Sequence, residues 1–206
     1  MRSRSPALYV LVAALSLPVL RLAFRTRSRG VENVPRDGGA VVAANHLSNF
    51  DPWPLALALF PRRHLRFMAK IELFKPPLGW LLRGLGAFPV DRSRPDRDAL
   101  ARAIDLCRDG HAVMMFPEGT RRAKGRRKRF EAEPHTGAAR IALRAGVPLV
   151  PCAVKGTDRL SRLGPLRVAF GRPIPVDDLV AADRRTAATV ATDRLMEEIA
   201  RLEQTL

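Results

Sequence analysis

A histidine and an aspartate five residues apart, His46 and Asp51, lie in the block Asn45-His46-Leu47-Ser48-Asn49-Phe50-Asp51, just after a short apolar run. A second polar block, Phe116-Pro117-Glu118-Gly119-Thr120-Arg121, follows another apolar run. An unperturbed imidazole, with a pKa near ~6.5, takes a proton from a hydroxyl at neutral pH. An aspartate beside it holds one ring tautomer and stabilises the imidazolium. A turn of glycine, threonine and arginine suits a phosphate. Together the blocks point to chemistry on a phosphorylated alcohol.

Other mechanisms lack their parts. No Gly-x-Ser-x-Gly elbow occurs, and Ser48 lies too close to His46 along the chain to act as a serine nucleophile. His64, His111 and His135 are scattered without metal-ligand spacing. Phosphate-loop and dinucleotide fingerprints are missing. What remains is a hydroxyl, activated by His46, attacking a group that already carries a good leaving group. A thioester fits, and direct acyl transfer then needs positioning, a base and an oxyanion donor.

The elements that would position these groups alternate. Ala40–Ala44, Leu65–Ala69, Ala87–Val90, Ala112–Phe116, Pro148–Val154 and Arg167–Phe170 read as strands. Helices are expected from Asp51-Pro52 to about Phe60 and over Pro77–Arg83, Pro95–Asp109, Thr136–Ala145 and Asp183–Glu203. Asp51 with Pro52 is a helix start signal in its own right. Such alternation predicts an α/β fold with a mostly parallel mixed sheet flanked by helices. In open sheets of this kind, sites gather beyond the carboxyl ends of the strands. His46, Asp91-Arg92 and Glu118-Gly119 each follow a different expected strand.

The chain has 206 residues, 47% of them apolar, enough for one domain with a sizeable core. A formal charge of +16 implies anionic partners. Aromatic residues are few and are not interleaved with the basic runs, which argues against single-stranded nucleic acid. Cys107 and Cys152 do not make a disulfide framework and read as buried thiols in a reduced compartment. Arg121 to Arg129 holds seven basic residues in nine, a loop beside the second polar block. It is read as a membrane- or carrier-facing surface.

Residues 7–20 are almost wholly apolar, with Arg2 and Arg4 before and Arg21 and Arg25 after. Fourteen helical residues reach ~21 Å, short of the ~30 Å hydrocarbon core. The flanks are positive on both sides and no cleavage site follows, so a removed signal peptide is disfavoured. A helix lying in or partly entering the membrane face is the expectation, with a helix packed on the domain as the alternative; the first gives an N-terminal anchor over residues 1–29 and a domain over 30–206.

Asn45-His46-x-Ser48-x-x-Asp51 resembles the first block of the glycerolipid acyltransferases that act on lysophosphatidic acid and glycerol 3-phosphate. Gly86-Ala87-Phe88-Pro89-Val90-Asp91-Arg92 resembles their second block and Phe116-Pro117-Glu118-Gly119-Thr120-Arg121 their third. Val147-Pro148-Leu149-Val150-Pro151 is similar to their fourth. Arg122 departs from the pattern, since many relatives have serine there.

The resemblance implies that His46 is the general base and Asp51 its partner. It implies that Arg92, Glu118, Gly119, Thr120 and Arg121 bind the acceptor, that Lys70 assists at the phosphate or oxyanion, and that Pro151 shapes an acyl pocket. It further implies a membrane-bound enzyme on the cytoplasmic face, peripheral or monotopic, that makes phosphatidic acid from 1-acylglycerol 3-phosphate. The donor would be acyl-CoA or acyl carrier protein, with no metal or prosthetic group. An anionic membrane surface would be a partner and nucleic acid would not. Two other readings fit the residues. One is the same chemistry on glycerol 3-phosphate, another lysophospholipid or a glycolipid. The other is a non-catalytic basic protein that binds membrane or nucleic acid.

Overall fold

Short apolar runs separated by amphipathic helices can bury both their faces only by pairing into a sheet covered on each side. The computed structural model does this over the residues it describes, 7–91, 97–119, 134–179 and 182–206. The strands are β1 (Arg27–Arg29), β2 (Ala40–Ala44), β3 (Leu65–Lys70), β4 (Ala87–Val90), β5 (Ala112–Met115), β6 (Leu149–Lys155) and β7 (Arg167–Phe170). They form one sheet in the order β1-β7-β6-β2-β5-β3-β4. The block from β4 to β6 is parallel throughout. β7 runs antiparallel to β6, and β1 lies parallel to β7 at the edge. The mixed, mostly parallel α/β sheet expected from the sequence is therefore present.

Period-two alternation sorts the core into two layers. Val41 and Ala43 of β2 join Val113 and Leu149 in a cluster with α4 (Arg97–Arg108), α5 (Gly137–Ala145) and α6 (Arg184–Gln204). Ala40, Val42 and Ala44 join Met114, Val150 and Cys152 on the other side, under α1 (Ala7–Leu22) and α2 (Pro52–Ala58). Both faces of β2 are buried, which is why Ala-Val-Val-Ala-Ala shows no polar alternation. Burial pushes the Cys107 thiol up to about 12 and raises that of Cys152, so both are inert side chains of the core.

The N-terminus shows two features. β1, Arg27–Arg29, pairs with β7, so the sheet begins before the expected boundary at residue 30. An exposed Arg-Ser-Arg strand carries no apolar signal, and its place comes from backbone pairing alone. α1 is a helix as expected, but one face of it packs on the domain through Tyr9, Ala13 and Leu20. The Tyr9 hydroxyl donates to the carbonyl of Ala56 at 3.2 Å, and its ring centroid lies 3.9 Å from that of His64. The opposite face leaves Leu11, Leu15 and Leu22 exposed. Among the described residues, no helix is long and apolar enough to cross a membrane.

At the amino-terminal rim of the parallel strands, Arg63 ties three loops together. Its guanidinium donates to the carbonyls of Arg36 at 2.7 Å, Gly110 at 2.9 Å and Gly38. Arg63 is nearly enclosed, so these carbonyls replace water as its hydrogen-bond partners.

Candidate active site

The register of the parallel strands delivers the polar blocks to one rim. Ala43 of β2 is level with Met115 of β5, and Lys70 of β3 with Val90 of β4. The chain therefore leaves the sheet at Asn45, Phe116, Ile71 and Asp91 along the same carboxyl edge. That is where an open α/β sheet holds its ligands.

Asn45 is fully buried and locks this exit. Its side-chain amide donates to the carbonyl of Val154 at 2.9 Å and to Glu203 Oε1 at 2.8 Å. Its Oδ1 accepts the amide of Val154 at 2.8 Å. The end of β2 is thus fastened to β6 and to α6 immediately before the histidine.

His46 is 7% exposed, and its ring stacks on Phe116 with centroids 4.2 Å apart and planes 20° from parallel. His46 Nδ1 lies 2.7 Å from Asp51 Oδ2. Asp51 is fully buried, and its Oδ2 also accepts the backbone amides of Leu47 at 2.7 Å and Ser48 at 2.9 Å. The Thr157 hydroxyl donates to Oδ1. An oxygen already holding two amide hydrogens is an acceptor, so the proton of the pair belongs on Nδ1. Nε2 is then left as the basic nitrogen.

Asp51 does mark the start of α2, with Pro52 first in the helix. Its side chain, however, makes no capping bond to that helix. The carboxylate turns back instead and closes a tight loop over residues 46–51. The start signal and the histidine partner are the same residue, and the carboxylate serves only the second.

The second block turns beside this pair. Gly119 has φ of 68°, a left-handed conformation that favours glycine, and its amide donates to the carbonyl of Phe116 at 3.0 Å. A Cβ on Gly119 would sit 2.4 Å from the ring of His135. The amide of His135 donates to the carbonyl of Pro117 at 2.8 Å, which fastens the start of α5 to the turn. Glu118 is half-buried on the same turn.

Of the residues expected to act, the structure brings His46, Asp51, Glu118 and Gly119 together on one rim, with Lys70 exposed at the end of β3 on that same rim. Arg92, Thr120 and Arg121 lie outside the described residues, as does the basic run to Arg129. Pro151 lies within β6. It is level with Ala43, and its ring packs against Gly171 close to Glu198 and Leu202 of α6. His46 meets Phe116, which packs on the α1–α2 side of the sheet.

Thr157, the stacking role of Phe116 and the Asn45 lock were not legible as site features. Thr157 is 106 residues from Asp51, and only the pairing of β2 with β6 makes them neighbours. Phe116 lay inside a block singled out for its polar members. His135 was visible only as one of several unpatterned histidines.

The arrangement can do one thing well: take a proton from a hydroxyl brought to His46 Nε2, with Asp51 holding the imidazolium that results.

Known proteins resemble this chain in sequence and in fold. A family model described as "Acyltransferase" matches residues 25–155. A 1-acyl-sn-glycerol-3-phosphate acyltransferase of Bacillus subtilis is 31% identical, over 85% of this chain and 86% of its own length. One from Streptococcus pneumoniae is 32% identical over 82% of this chain and 62% of its own length. The crystal structure of the 1-acyl-sn-glycerophosphate (LPA) acyltransferase PlsC from Thermotoga maritima superposes with a TM-score of 0.67 at 28% identity. It covers 98% of this chain and 83% of that one.

Proposed function

The chain belongs to the acyltransferase family, and on that premise we propose that it transfers a fatty acyl group from a thioester to the free hydroxyl of 1-acylglycerol 3-phosphate, giving phosphatidic acid. The observation that carries the reading is the buried His46–Asp51 pair at 2.7 Å, set at the rim beside the Glu118-Gly119 turn.

His46 Nε2 takes the hydroxyl proton as the oxygen attacks the thioester carbonyl. Asp51 holds the ring through Nδ1 and stabilises the imidazolium. The tetrahedral intermediate collapses, the carbon–sulfur bond breaks, and the imidazolium returns its proton to the leaving thiolate. The new ester and a free thiol are the products. Glu118 and Gly119, with Arg92, Thr120 and Arg121, hold the glycerol and its phosphate, and Lys70 adds a positive charge near them. The donor is an acyl thioester of coenzyme A or of acyl carrier protein.

The acceptor resides in a bilayer, so the enzyme works at its surface. α1 supplies the contact: its outward Leu11, Leu15 and Leu22 face the lipid, and Arg21 and Arg25 are exposed at its end. A donor made in the cytosol places the protein on the cytoplasmic face.

The test is thiol release by the purified protein from a long-chain acyl-CoA, with lysophosphatidic acid, glycerol 3-phosphate or lysophosphatidylcholine as acceptor. Release that depends on lysophosphatidic acid and falls roughly 10²–10⁴-fold in His46→Ala is the expected result. Near-normal turnover in a folded His46→Ala protein ends the mechanism. Release with a different acceptor keeps the mechanism and changes the substrate.

A further inference from the structure

Apolar side chains that face water gather on one segment between β3 and β4. Ile71, Leu73, Leu78, Trp80 and Leu81 are all exposed, Trp80 at 70%. Single apolar residues are ordinary on a protein surface, but five within eleven positions form a patch that calls for a partner. The segment cannot fold them inward. Its helix, α3 (Leu78–Gly84), buries only Gly79, which lies so close to the backbone of Phe74 that a Cβ would come within 2.2 Å of that carbonyl oxygen.

The charge around the patch is mostly positive. Lys70 and Lys75 are exposed on the same segment, and the Arg83 guanidinium lies 5.0 Å above the Phe74 ring. Glu72 is the acidic side chain among them. This is the pattern of an interfacial surface, with apolar tips and a tryptophan flanked by long basic side chains whose ends reach back to phosphates.

The patch is also continuous with α1. Gly84 lies against Leu8, since a Cβ there would be 2.5 Å from Leu8 Cδ2, and Gly84 is one helical turn from Trp80 on the same face. From Leu8 the outward stripe of α1 runs on through Leu11 and Leu15. Phe50 also stands exposed, immediately before Asp51.

We propose that the 71–81 segment is a second membrane-docking element, which seats on an anionic bilayer beside α1 and sets the His46 rim at the depth of the lipid glycerol. The inference rests on the acyl-transfer reading above, because a lipid acceptor is what the rim must reach. Its hydroxyl lies among headgroups, not in the hydrocarbon, so a shallow seat on two apolar surfaces serves better than a spanning helix. The segment leaves β3 directly at Lys70 on the active rim, so its docking depth fixes that of the rim.

Trp53→Phe leaves Trp80 as the one tryptophan of the chain. Vesicles of phosphatidylglycerol and phosphatidylcholine should then blue-shift its emission, and lipid brominated near the carbonyl end of the chain should quench it. Leu78→Glu with Trp80→Glu, both at exposed positions, should lower vesicle retention at least tenfold. Acyl transfer to lysophosphatidic acid held in vesicles should fall with it. Transfer to a short-chain, water-soluble lysophosphatidic acid should stay within twofold.

Unquenched Trp80 emission in protein that still sediments with vesicles overturns the proposal, as does wild-type retention by the double variant. A second copy covering the patch, seen as a dimer whose Trp80 is shielded from acrylamide before lipid is added, overturns it too. Quenching needs no turnover, so it decides docking by itself. Failure of the wild-type protein to acylate both the vesicle-held and the soluble acceptor would instead overturn the acyl-transfer reading.

Discussion

The hydroxyl of Thr157 donates to Oδ1 of Asp51, across 106 residues of chain, while His46 and two backbone amides occupy Oδ2. Both oxygens of the carboxylate are thereby aimed, and the imidazole follows. Removing the hydroxyl leaves a buried charged oxygen short of a donor, a loss of roughly 1.5–3 kcal/mol. Thr157→Val is expected to lower kcat about tenfold to a hundredfold with both KM values within twofold. Thr157→Ser should restore most of it. A valine variant with normal kcat would remove Thr157 from the mechanism.

Gly119→Ala meets two obstacles. The residue would be held at φ of 68°, costing roughly 1–2 kcal/mol, and its Cβ would strike the ring of His135. kcat/KM for the acceptor is expected to drop at least tenfold. Since the His135 side chain is exposed, Gly119→Ala combined with His135→Ala should recover the steric share and leave the backbone share. Steady-state kinetics on the two variants separates these contributions.

Burial pushes His64 down to about 4; its buried Nδ1 has no hydrogen-bond partner, and its ring centroid lies 3.9 Å from that of Tyr9. In the unfolded chain the same group takes up its proton near ~6.5. The folded state therefore binds fewer protons between these values, and stability falls as the pH drops from about 6.5 towards 4. Urea midpoints measured across that window should decline in the native protein. In His64→Gln, which can still donate towards Leu85, the decline should be shallower.

Arg63→Met removes the anchor of the loops at Arg36, Gly38 and Gly110. The expected loss is about 2–4 kcal/mol of unfolding free energy, since buried carbonyls lose a charged donor. Turnover by the folded fraction should stay within twofold, because the site is at the far rim. Denaturant unfolding alongside kcat would expose any coupling between the two.

What the sequence made legible follows from how each signal arises. β2, β4 and β7 fall where the apolar runs place them, because short runs bounded by turns have little freedom of register. β1 was invisible because Arg-Ser-Arg is a strand only through its partner. The His46–Asp51 pair was legible because five residues of loop are enough to fold one onto the other. Thr157 was not, since no local pattern records that β6 lies beside β2. The side of the sheet that Pro151 faces was equally hidden, because it follows from the register of β6 on β2: level with Ala43, its ring lies near Gly171 and α6.

The five strands from β4 to β6 point one way, so their two ends are exposed to selection for different reasons. One end carries the acid–base pair and the turn beside it; the other carries the guanidinium tie. Evolution can then rewrite the reactive end, changing which alcohol is accepted, while the tied end keeps the chain foldable through the experiment. A designer has the same freedom. Loops following β3, β4 and β5 can be diversified in a library, with the His46–Asp51 loop and the Arg63 tie left untouched.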